Sequence, residues 1–202
     1  MNHQSAIAKK FSISNQEVGE LLKAWLAISF AFGVVLGGFD FSLSFLFRLF
    51  AAAITVGVGF LLHELGHKVV AQRYGIRAEF HAFNRMLLLA IAMSFFGVVF
   101  AAPGAVMILG RTTKEQYGKI SVIGPIINLV LAVCFLPLIF LLTMPALKQI
   151  ASYGFTINAW LGLFNLIPVW EFDGRKIYAW NKLVYACVLC AALGLMIVSF
   201  LL

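Results

Sequence analysis

His63-Glu64-Leu65-Gly66-His67 is the stretch of this 202-residue chain whose residue types and spacing can do chemistry. On a helix, positions i and i+4 share a face, so both imidazoles can reach one divalent cation. Glu64 projects beside them, placed to take a proton from water held by that cation. This is the His-Glu-x-x-His arrangement of zinc hydrolases. With four histidines and six glutamates in the chain, chance would produce only about 0.002 such matches, so the pattern asks for a functional account.

Two histidines leave a catalytic zinc one protein ligand short, because such sites commonly combine three ligands with a water. The remaining candidates are His3, His81, Asp40, Glu79, Glu115, Glu171 and Asp173. Asp173 fits best on local grounds. Pro168 interrupts the preceding apolar run and Gly174 lets the backbone turn, which would bring a carboxylate into a polar cavity inside the membrane. Glu171 competes if the segment is extended, since alternate residues then share a face. Its commoner fate is solvent or a salt bridge to Arg175.

The elements that must position these groups follow from composition. Sixty-two per cent of the residues are apolar and 11% are charged, with a mean hydropathy of +0.98. A soluble domain carries roughly 25% charged residues. A soluble enzyme, a disordered chain and a nucleic-acid binder are therefore all excluded, and the partner is the lipid bilayer. The net charge of +7 falls in short gaps between apolar runs, not on one basic face. Cys134, Cys187 and Cys190 lie within apolar runs and read as small buried residues, not as metal ligands or disulfides.

Ser14 and Glu17 have the spacing of a capping box, which predicts a first helix over 14–38. A second apolar run starts near Ser42 and continues into His63. Others cover 86–109, 120–144, 155–169 and 184–202, each long enough or nearly so to cross ~30 Å of hydrocarbon. The expected fold class is an all-α polytopic membrane protein with five to six transmembrane helices. Run 86–109 contains Pro103-Gly104. If it enters and returns on one side, only Arg48 and Lys148 of the 15 lysines and arginines fall outside the cytoplasm. That asymmetry favours a re-entrant segment over a full crossing, with the N-terminus and the site's opening on the cytoplasmic side.

Depth separates a metal site from a polar helix end. Counted from Leu49, His63 lies ~21 Å along its helix. An uncompensated acid at the bilayer centre costs roughly 2.5–3.5 kcal/mol on insertion scales. A cation would compensate Glu64 and engage both imidazoles at once.

Three further elements carry a resemblance. Asn165-Leu166-Ile167-Pro168 leads at fixed spacing to Asp173-Gly174, Gly124-Pro125-Ile126-Ile127-Asn128 lies between this stretch and His63–His67, and Pro103-Gly104-Ala105 forms a small-residue turn. With the His-Glu-x-x-His motif, these make the sequence resemble the site-2 protease family of intramembrane zinc metalloproteases over about 49–176. The resemblance implies one zinc ion held by His63, His67 and Asp173, with Glu64 as general base and acid. It also implies that Asn165 lies near the metal, placed to hydrogen-bond a substrate backbone. Asn128 reads more simply as a helix-to-helix hydrogen bonder.

The implied activity is hydrolysis of peptide bonds within or near transmembrane segments of membrane-protein substrates, as in regulated intramembrane proteolysis. The chain departs from the family at Trp170-Glu171-Phe172, where a second proline is common. The expected organisation is one membrane-embedded domain over 1–202, with peripheral helices 14–38 and 184–202 and no PDZ or other soluble module. The expected location is a multi-pass position in a prokaryotic cell membrane. A catalytically inactive relative or a metal-handling transporter is the competing class. Against these stand the presence of Glu64 and the clustering of polar residues on one half of the membrane.

Overall fold

The computed structural model describes residues 11–99 and 103–202; His3, Lys9, Lys10 and Ala102 lie outside the described residues. The first helix, α1 (Asn15–Val35), begins where Ser14 accepts a hydrogen bond from the Glu17 backbone N–H at 3.1 Å. Only half of the expected capping box forms. The Glu17 side chain does not reach back, because buried Lys68 claims it: the ammonium donates to both carboxylate oxygens, at 2.7 and 2.5 Å. A strong charge-assisted pair in a dry interior outcompetes a local cap.

The next element is one long rod in three parts: α2 (Leu43–Ala52), a π-helical turn (Ala53–Gly57) and α3 (Val58–Arg73). Ser42 caps its start. The widened turn changes the backbone hydrogen-bond register from i+4 to i+5, which rotates α3 relative to α2. Trp25 of α1 donates its indole N–H to the Ala53 carbonyl in this turn at 3.1 Å. The rotation of the helix that carries His63 and His67 is thus tied to α1.

Strand β1 (Arg77–Ala82) pairs antiparallel with β2 (Gly104–Leu109), matching Arg77 with Leu109 and Ala82 with Gly104. This sheet departs from the all-α expectation. Its signal was a two-residue period: Ala78 and Phe80 are buried, while Arg77 is exposed and Glu79 only partly covered. Helix α4 (Asn84–Ser94) follows β1, so run 86–109 divides into a short helix, a turn and a strand. The pairing register brings residue 109 back beside residue 77.

The free edge of β1 is closed by carboxylates of α1. Glu17 accepts from the Phe80 N–H and Glu20 from the Ala82 N–H, each at 2.9 Å. Lys68 donates to the Ala78 carbonyl at 2.9 Å. Leu21, Ala24, Phe60, Phe80 and Leu87 fill the space beneath, joining α1, α3, β1 and α4.

Helix α5 (Lys114–Leu141) starts with a complete capping box between Thr113 and Gln116. Helices α6 (Pro145–Asn165), α7 (Asp173–Trp180) and α8 (Lys182–Leu201) complete the chain. Among the described residues, four helical rods are long and apolar enough to cross a membrane: α1, the rod Leu43–Arg73, α5 and α8. Helix α6 equals α1 in length but carries Lys148, Gln149, Asn158 and Asn165. Cys134, Cys187 and Cys190 are exposed, correcting the expectation of burial. On an apolar exterior a thiol is tolerated outside as readily as inside.

Candidate metal centre

Helix α3 carries His63, Glu64 and His67 toward α5 and α7, and all three are buried. The two imidazole rings stand nearly perpendicular with centroids 4.7 Å apart, as i and i+4 positions allow. Asp173 opens α7 and is also buried. Its Oδ2 lies 3.3 Å from His63 Nε2 and 3.1 Å from His67 Nε2. One ligand atom from each of the three residues fits within a span of 4.8 Å.

The turn that delivers Asp173 is built differently from the expectation. Gly174 is helical, not turning. The left-handed residue is Trp170, with φ 47°, whose carbonyl accepts from the Arg175 guanidinium at 3.0 Å. Gly174 serves close approach instead: a Cβ there would stand 2.0 Å from the Leu166 carbonyl oxygen.

The outer nitrogens of the histidines have fixed partners. His67 Nδ1 lies 2.7 Å from the Ile120 carbonyl oxygen, a pure acceptor, so it is the protonated nitrogen. His63 Nδ1 lies 2.6 Å from Asn128 Oδ1. In the neutral imidazoles both Nε2 lone pairs then face the Asp173 carboxylate. Lone pairs and an anion do not attract one another, whereas a divalent cation among them satisfies all three. Two imidazoles and one carboxylate form a donor set that suits zinc.

The space for an ion is kept open by Gly124 on α5. A Cβ at that position would lie 2.5 Å from each Nε2. The donor set and this gap together show that the residues present fit the metal.

A cavity of about 790 Å³ opens beside the centre, lined by Glu64, Asn165 and Lys176 among largely apolar side chains. Strand β2 contributes Gly104 to Ile108 to the same wall, with Pro103 just before it. Among the described residues, Asn165 makes no hydrogen bond to His63, His67 or Asp173. Its amide donates to Leu161 of its own helix at 3.0 Å, and it borders the cavity. Lys176, one turn after Asp173, places its ammonium 3.6 Å from the other carboxylate oxygen, Oδ1.

The other candidate ligands are engaged elsewhere. His81 sits 3.4 Å from Glu20. Glu79 pairs with Arg77, Glu115 with Lys119, and the exposed Glu171 with Arg175 at 3.8 Å. Asp40 accepts from Ser42 and from Arg48, and those bonds hold its carboxyl below its usual range. Sequence reasoning passed over Gly124 as a gap-keeper, as well as Lys176, Ile120 and Asn158. Gly124 alone carried a signal, as part of the Gly-Pro-x-x-Asn element.

A mostly helical chain with four membrane-length rods and a His-His-Asp cluster belongs to a recognisable class. The chain is 38% identical over 191 residues to "Putative zinc metalloprotease MJ0611" of Methanocaldococcus jannaschii, covering 93% of this chain and 96% of that protein. It is 30% identical over 131 residues to "Zinc metalloprotease MJ0392" of the same organism, which is 61% of this chain but 32% of that protein. A third relative, "Putative zinc metalloprotease Rip3" of Mycobacterium tuberculosis, is 31% identical over 137 residues, 31% of its length. The chain thus spans nearly all of the first relative and about a third of the other two. It belongs to the site-2-protease-like family of zinc metalloproteases. No protein-family model matches the chain, and no solved structure matches it.

Proposed function

We propose that the protein is an intramembrane zinc endopeptidase that hydrolyses peptide bonds within or near the transmembrane segments of other membrane proteins. One observation carries this reading: His63 Nε2, His67 Nε2 and Asp173 Oδ2 converge beside Glu64 at the wall of a cavity. His63, His67 and Asp173 hold one zinc ion. When bound, zinc supplies a nucleophilic water at neutral pH and polarises the scissile carbonyl.

Glu64 takes a proton from the attacking water at its carboxylate and returns it to the departing amine. Lys176, paired to Asp173 Oδ1, leaves Oδ2 directed at the histidines. Asn165 faces the same cavity with an amide able to bond a substrate peptide group. A helical substrate must unwind before its carbonyls become accessible, and the β2 edge that lines the cavity offers it backbone pairing. The return of residue 109 beside residue 77 supports a re-entrant reading of 86–109, with the opening toward the cytoplasm of a cell membrane. The active domain extends over 1–202.

The deciding experiment is cleavage of a single-span model substrate by purified protein in bilayers. Wild type cleaves and Glu64→Gln does not, while both retain zinc. Equal cleavage by the two would end the general-base assignment.

A further inference from the structure

We propose that Asn158, on α6, is a positioning residue for the metal centre: acting through Asn128, it fixes which nitrogen of His63 is free to bind a cation. The inference rests on reading His63, His67 and Asp173 as a zinc site.

A carboxamide donates from one end and accepts at the other, and a neutral imidazole does the same with its two nitrogens. A row of such groups can run in either direction unless something at its end decides. Here the end is the Gly154 carbonyl, which can only accept. Asn158 Nδ2 donates to it at 2.9 Å, so Asn158 Oδ1 must face the other way. Asn128 Nδ2 donates to that oxygen at 3.1 Å and also approaches the Gly59 carbonyl at 3.4 Å. Asn128 Oδ1 is thereby turned to His63 Nδ1, at 2.6 Å. The proton of His63 then resides on Nδ1, and the Nε2 lone pair faces Asp173.

Reversing any link sets two donors or two acceptors against each other. All three side chains are buried, Asn158 at 0% exposure and Asn128 at 1%, where such a mismatch has no water to relieve it. The row fits because α3 leaves room for it: a Cβ at Gly59 would stand 2.2 Å from Asn158 Oδ1. His67 needs no equivalent, because its Nδ1 meets a backbone carbonyl that cannot flip. The polar relay between α6 and α3 serves the one histidine whose partner is a reversible amide.

The test is zinc affinity of the full-length protein in detergent, measured by competition with a chelator. Outer hydrogen-bond partners of metal-bound histidines typically contribute about 10–100-fold in metal affinity. Asn158→Leu is expected to weaken zinc binding by about tenfold and Asn128→Leu by at least as much. The double variant should bind no more weakly than Asn128→Leu alone, since the outer link has no route to His63 without the inner one. Asn158→Asp, neutral at this buried position with its O–H donating to the Gly154 carbonyl, keeps an acceptor toward Asn128 and should hold zinc far better than Asn158→Leu.

A role confined to helix packing predicts something else: independent effects that multiply in the double variant and no rescue by aspartate. Either result overturns the proposal, as does wild-type affinity in Asn158→Leu. If Asn158→Leu fails to accumulate, Asn158→Ala removes the same acceptor without adding bulk. A wild-type protein that holds no zinc against a weak chelator would instead sink the metal-site reading on which the inference stands.

Discussion

Gly124 turns its bare Cα toward His67 so closely that a methyl group there would lie 2.5 Å from Nε2, and the same distance from the Nε2 of His63. An α5 helix passing this near to the imidazoles leaves no room for a side chain at this position. Gly124→Ala should therefore displace zinc while leaving the helix intact, because alanine is by itself the better helix former by about 1 kcal/mol. Metal analysis beside circular dichroism checks this. Wild-type zinc in Gly124→Ala would show that the ion sits elsewhere.

The three converging side chains should share the metal. His67→Ala and Asp173→Ala are each expected to lose most of the bound zinc, whereas Glu171→Ala keeps it, since Glu171 is exposed beside Arg175. Elemental analysis of detergent-purified variants distinguishes them. A residue whose removal leaves zinc unchanged is no ligand.

Glu17 and Lys68 form a buried ion pair that braces α1 against α3 and β1. Glu17→Ala strands an ammonium without a counter-charge and should cost about 3–5 kcal/mol of stability. Replacing both partners, as Glu17→Leu with Lys68→Met, should recover only part of that loss, because the Phe80 N–H and the Ala78 carbonyl then lose their partners. Thermal unfolding in a fixed detergent reads the difference. Equal melting of the single and double variants would contradict it.

Trp25→Phe removes the indole N–H that donates to the Ala53 carbonyl in the π-turn. That carbonyl keeps the Val58 backbone N–H as a donor, so loss of the indole bond should cost about 0.5–1.5 kcal/mol. Because that turn sets the rotation of α3, zinc affinity should fall along with stability. Chelator competition and a thermal melt, run on one preparation, test both consequences. A loss of stability with unaltered zinc affinity would separate the turn from the site.

Much of the architecture was legible in the chain because it depends on local pattern. The apolar fraction marks a membrane environment, Ser14 and Ser42 mark helix starts, and His63 with His67 share a face by helical periodicity alone. Other features had only faint local traces. The alternation of Ala78 and Phe80 on β1 was short enough to be hidden in a polar gap, and β2 was hidden inside an apolar run. Helix α1 looked peripheral, yet it holds the π-turn through Trp25 and the sheet edge through Glu17 and Glu20.

Sequence alone determined the chemistry on offer: two imidazoles and a carboxylate on one helix, a second acid after a helix break, and a chain too apolar for water. Tertiary structure decided how those groups meet. The Asp173 approach depends on a left-handed Trp170, the ion's space on Gly124, and the aim of His63 on amides 65 and 95 residues further along. Helical periodicity acts over a few residues and can be read directly. Hydrogen-bond direction and the gap between two helices arise only when distant segments pack, so no single stretch of sequence contains them.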